Sequence, residues 1–100
     1  MNKYEKQIKE YQSLFRILEG MKIFYNPKSE RKGMCSYSRV GSLIRWAEIY
    51  APGKIKDHDY IFHEILHIAV NEAKYKNQQE LLVQDICNIV NVLGLKLLNH

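Results

Sequence analysis

Asp59-Tyr60-Ile61-Phe62-His63-Glu64-Ile65-Leu66-His67-Ile68-Ala69-Val70 is the stretch on which the reading of this 100-residue chain turns. An α-helix advances about 100° per residue, so His63 and His67 lie about 40° apart, one turn along the same face. Both imidazoles can then reach one metal ion. Glu64 falls about 60° beyond His67, where its carboxylate borders the same cavity and handles a water molecule instead of coordinating. Two nitrogen donors beside a base are what a hydrolytic zinc site needs, which makes His63 and His67 candidate zinc ligands and Glu64 the candidate catalytic base.

The flanking residues support a helix. Lys56-Asp57-His58-Asp59 supplies capping side chains and early negative charge, and Tyr60 to Val70 contains neither Gly nor Pro. Residues 63, 64 and 67 are the polar interruption of an apolar element. A divalent cation is the simplest partner for two imidazoles placed there.

A catalytic zinc takes a third protein ligand and leaves a fourth position to water. The acidic residues in range are Glu72, Glu80 and Asp85. If the motif helix runs unbroken to Tyr75, an antiparallel return brings Asp85 level with His67; if it ends near Val70, Glu80 comes level. The longer reach of glutamate favours Glu80, with Asp85 as the alternative. His58 reads as a first-turn surface residue and His100 lies at the terminus. For an oxyanion-stabilising side chain the nominees are Tyr60, Tyr75 and His58.

Outward from the motif, Tyr4, Ile8, Tyr11, Phe15 and Leu18 recur at helical spacing, predicting an amphipathic helix from about Lys3 to Glu19 that Gly20 caps. Met21 to Tyr25, Met34 to Arg39 and Leu43 to Tyr50 read as three short strands, broken by Asn26-Pro27, Gly41-Ser42 and Pro52-Gly53. Leu43 to Tyr50 is ambiguous in pattern, and a sheet of two strands would be marginal, which favours a strand. Standing just before the motif, it is the candidate edge that holds a peptide by main-chain hydrogen bonds. A turn is expected within Ala73 to Gln78. A last helix follows from Glu80 to Leu93, interrupted by Gly94, with 94–100 as a tail that continues it or regulates the site. The predicted fold is a single α+β domain over 1–100: helix, three-stranded sheet, motif helix, second helix.

With Glu80 opening the helix after the motif and about 100 residues in all, the chain resembles the minigluzincins, small soluble zinc metallopeptidases of the gluzincin group. The likeness spans the whole length in architecture and the last two helices in residues. It implies zinc held by His63, His67 and Glu80, with Glu64 as general base in peptide hydrolysis. Larger gluzincins commonly carry an acid four residues after the glutamate ligand. Gln84 stands there in this chain, and Asp85 comes one position later.

Composition bounds the alternatives. No apolar run approaches a membrane span and no signal core follows Met1-Asn2-Lys3, so a cytoplasmic protein without membrane attachment is expected. Cys35 and Cys87 lie far apart and read as reduced, half-buried packing residues, the sharper alternative being a cysteine that caps the zinc in a resting state. The net charge of +4, with Lys28, Arg31 and Lys32 clustered, lacks the aromatic-basic signature of a nucleic-acid module. The apolar tail Leu95-Lys96-Leu97-Leu98-Asn99-His100 and the last helix pack on the first helix in the simplest reading; the alternatives are a latent, zymogen-like form with the tail in the cleft and a homodimer through the last helix or tail. The rival readings are a non-catalytic metal-binding domain and a small basic interaction protein.

Overall fold

The chain begins with helix α1 (Lys3–Gln12), whose Asn2 side chain accepts the Glu5 backbone N–H at 2.9 Å. A 3-10 turn (Arg16–Leu18) follows, then strands β1 (Lys22–Asn26), β2 (Cys35–Val40) and β3 (Leu43–Tyr50), and helices α2 (Tyr60–Lys76) and α3 (Gln79–Leu98). The computed structural model describes residues 2–28, 30–33, 35–40, 43–53 and 59–98. The architecture is α+β, as the sequence predicts: three helices on a small mixed sheet.

The first helix is shorter than the Lys3-to-Glu19 expectation. Its apolar stripe continues beyond Gln12, yet Phe15 is extended, with φ −110° and ψ 107°. The backbone N–H of Ile17 donates to Asp85 Oδ2 at 3.4 Å, and Gln12 Nε2 donates to the carbonyls of Leu18 and Met21 at 3.0 and 2.6 Å. Tertiary partners thus take the polar groups that further helical turns would use. Phe15, Ile17 and Leu18 reach the core all the same.

The strand order is β1-β3-β2, with β1 parallel and β2 antiparallel to β3. This corrects the expectation that Leu43 to Tyr50 is an edge: β3 is the central strand, pairing on both sides, and β1 and β2 are the edges. Alternation sets the two faces of β3. Ala47 and Ile49 are fully buried under the helices, and each has a partner on either side, Ile23 and Tyr37 for Ala47, Tyr25 and Cys35 for Ile49. On the opposite face Phe24 and Trp46 are exposed.

Helix α2 lies across the inner face. Asp59 caps it, accepting the Phe62 N–H at 3.2 Å; Lys56, Asp57 and His58 lie outside the described residues. Ile61, Ile65 and Ile68 are buried to 1% exposure or less, each contributing about 2 kcal/mol of transfer free energy. This helix gives way to a turn within Ala73 to Gln78, as expected. It ends at Lys76, where Asn77 takes a left-handed conformation at φ 57° and Gln78 N–H bonds back to the Ala73 carbonyl at 2.9 Å. Asparagine tolerates that conformation better than most residues, so Asn77 serves as the cap that ends the helix.

Helix α3 likewise runs through Gly94 to Leu98 instead of stopping near Leu93, so the tail continues the helix as far as it is described. It packs through Leu82, Asp85 and Ile89, and leaves Val83, Cys87 and Val90 exposed. No described helix is long and apolar enough to cross a membrane.

Candidate metal centre

The two histidines of the motif converge. His63 Nε2 and His67 Nε2 are 3.0 Å apart, with ring centroids at 4.6 Å and planes at 80°. Two nitrogens bound to one tetrahedral zinc at about 2.0–2.1 Å sit about 3.3–3.4 Å apart. The pair is therefore within a few tenths of an ångström of a coordinating edge. Two imidazole lone pairs facing each other at that distance repel unless one nitrogen carries a proton or a cation stands before both.

Glu64 lies on the inner flank of the pair and is only 4% exposed. It shares with His63 and His67 a cleft of about 340 Å³, whose other walls are Gly33, Cys35, Tyr37 and Asn71. Residues 35 and 37 alternate along β2, so both project from the face that meets α2, and Asn71 continues the His63/His67 row by one more turn. The Asn71 side-chain amide donates to the Tyr37 phenol oxygen, tying the edge strand to the motif helix. The cleft thus opens between the motif and the outer strand of the sheet.

Cys35 meets Glu64 directly. Its thiol donates to the Glu64 main-chain carbonyl at 4.0 Å. Burial, followed by the hydrogen bond and negative charge of Glu64, pushes the thiol pKa up to about 12. Cys87, by contrast, is exposed on α3, which corrects the expectation that both cysteines are half-buried packing residues.

The acidic candidates for a third ligand go elsewhere. Glu80 is exposed on the first turn of α3, and at 100° per residue it stands about 180° around that helix from buried Ile89. With α2 unbroken past Tyr75, Asp85 is the acid that the return should bring level with His67. It is 2% exposed but turned away: Arg16 Nε donates to Oδ1 at 2.6 Å and Ile17 N–H to Oδ2 at 3.4 Å. Glu72 sits in the centre of the buried face of α2, fully buried. Lys76 Nζ is 2.7 Å from its Oε1, at an angle that makes no hydrogen bond to either carboxylate oxygen. Among the described residues, no three His, Cys, Asp or Glu side chains are gathered to hold a metal ion. The motif pair fits a metal; Glu80 is not brought to it.

The nominees for oxyanion stabilisation fare similarly. Tyr60 donates its hydroxyl to the Tyr50 carbonyl at 2.8 Å inside the core, and Tyr75 is 55% exposed near the far end of α2. His58, like His100, lies outside the described residues. Tyr37 is the tyrosine that the fold brings to the cleft. Strand pairing places it there, so sequence spacing gave no signal for it; Asn71, at i+4 from His67, was within reach of the same helical arithmetic.

No family model matches this chain, and no curated protein or solved structure matches it.

Proposed function

We propose that this chain is a zinc-dependent peptidase with the two-histidine, one-glutamate motif core that gluzincins use. The observation that carries the reading is the convergence of His63 and His67 Nε2 at 3.0 Å in a cleft that also contains the buried carboxylate of Glu64. His63 and His67 would hold the zinc. Bound there, zinc supplies a Lewis acid that makes a water molecule acidic at neutral pH and polarises a carbonyl group.

The residues of the chain do the rest. Glu64, held near the pair by its burial against β2, accepts the water proton and passes it to the leaving amine. Strand β2 is the sheet's outer strand on this side, and an extended peptide adds to such an edge by main-chain hydrogen bonds. The Tyr37–Asn71 link keeps that strand in register with the motif helix. Cytoplasmic residence and a homodimer through the exposed Val83, Cys87 and Val90 face of α3 are parts of the same proposal.

The test compares Glu64→Gln with the unaltered protein on a mixture of unstructured peptides, with zinc content measured on the same samples. The expected result is retained zinc and loss of turnover by a factor of at least about 100, the scale of general-base catalysis. Equal cleavage by both proteins overturns the proposal. A non-catalytic metal-binding domain is the second reading, favoured by one observation, the position of Glu80 away from the pair. It predicts stoichiometric zinc with no turnover in either protein.

A further inference from the structure

Two donors converge in the cleft, and the acid expected to complete the set stands on the solvent face of another helix. The cleft itself contains one more side chain of a type that binds zinc strongly. Cys35 pairs with Ile49 in the sheet and so points from β2 toward α2, and its thiol already touches the main chain of the residue between the two histidines. We infer that Cys35 is the third protein ligand, making a bis-imidazole, single-thiolate metal site between β2 and α2. The inference rests on the reading of His63 and His67 as metal ligands, and replaces Glu80 in it.

Three features argue for the thiol. Cysteine and histidine combine freely in zinc sites, and three protein donors leave one position open. The thiol lies against the main chain of the motif helix at Glu64 and lines the same cleft as both imidazoles. The sulfur also has freedom to move. The three donors are not within coordinating reach of one point as they stand, but a cysteine has a single side-chain rotor, and a change between staggered rotamers moves its sulfur by about 3 Å. Glu80, by comparison, would have to come around the far side of α3. A thiolate also sets the metal: it favours zinc over magnesium or calcium.

Cobalt(II) titration of the metal-free protein distinguishes the outcomes, because a thiolate ligand adds a near-ultraviolet sulfur-to-cobalt charge-transfer band that imidazoles and carboxylates do not. The expected result is one equivalent of cobalt with this band. Cys87→Ser and Glu80→Gln should keep the band, whereas Cys35→Ser should lose it and bind cobalt at least tenfold more weakly. Cobalt bound through His63 and His67 without the band, or a band that survives Cys35→Ser, overturns the inference and leaves the metal centre standing. Failure to bind cobalt at all overturns both. Circular dichroism of Cys35→Ser, expected to match the unaltered protein, separates a lost ligand from a lost fold.

Discussion

Replacing Asp85 tests whether its carboxylate ties the fold together or waits for a metal. Its Oδ1 takes the Arg16 Nε–H at 2.6 Å and its Oδ2 the Ile17 N–H at 3.4 Å, linking α3 to the 3-10 turn. The arginine side chain is 54% exposed, so that ion pair is largely solvated and contributes about 1 kcal/mol or less. The Ile17 N–H belongs to a residue only 6% exposed. Leaving it without an acceptor costs about 1–2 kcal/mol, toward the low end because the bond is long. Asp85→Ala should therefore lose about 2–3 kcal/mol, a large part of the 5–15 kcal/mol typical of a domain. Asp85→Asn keeps an oxygen for Ile17 and should lose about 1 kcal/mol. Urea denaturation followed by circular dichroism measures both, with metal affinity determined alongside. Unchanged stability in Asp85→Ala together with a loss of metal binding would refute this assignment and return Asp85 to the ligand set.

Other expectations follow from the same packing. Glu72 is fully buried and without a hydrogen bond, while Lys76 is a third exposed. Glu72→Met should then be neutral or stabilising by about 1 kcal/mol, whereas Lys76→Met, which strands the buried carboxylate, should destabilise by about 2–3 kcal/mol; thermal melts of the two variants that shift in the opposite order would contradict this. The Tyr11 hydroxyl donates to Asp59, and burial first, then that bond and charge, raise the phenol pKa to about 12 from 10.0. The folded state thus holds the phenol proton more tightly than the unfolded state, so the contribution is complete below pH 10 and fades as pH rises from 10 through 12. Tyr11→Phe should flatten the decline of stability across that window, and an unchanged slope would show the link to be inert. Sedimentation of Val83→Lys beside the unaltered protein tests the exposed α3 face: a shift from dimer to monomer is expected, and a unaltered protein that is already monomeric removes the homodimer.

The motif stretch made α2 legible because its signals agree: a capping aspartate, an apolar face and no breaker over seventeen residues. The same periodic logic overextended α1, since a stripe of apolar residues records which side chains face the core and not whether the backbone between them stays helical. Phe15 and Leu18 are buried as expected, but Asp85, far away in sequence, claims the Ile17 N–H. The order of the strands was not legible, because alternation in Leu43 to Tyr50 reports two faces and says nothing about how many neighbours the strand has. Within the site, His63, Glu64 and His67 come from one helix and their relation follows from its pitch. Cys35 and Tyr37 reach the cleft through the pairing of β2 with β3, a long-range contact with no local signature. The expectation for Glu80 failed to assemble for a related reason: its placement depends on the rotation of α3 about its axis, which the buried line of Leu82, Asp85 and Ile89 sets.

The claim on which everything else depends is that His63 and His67 hold one metal ion. The most direct test is the zinc content of the purified protein beside that of His63→Ala and His67→Ala, measured by mass spectrometry of the metal after dialysis against metal-free buffer. One zinc per chain in the unaltered protein, lost in both variants while their circular dichroism spectra stay native, is the predicted result. A folded protein that retains no zinc and takes none up on titration, or one whose zinc survives both substitutions, would contradict it.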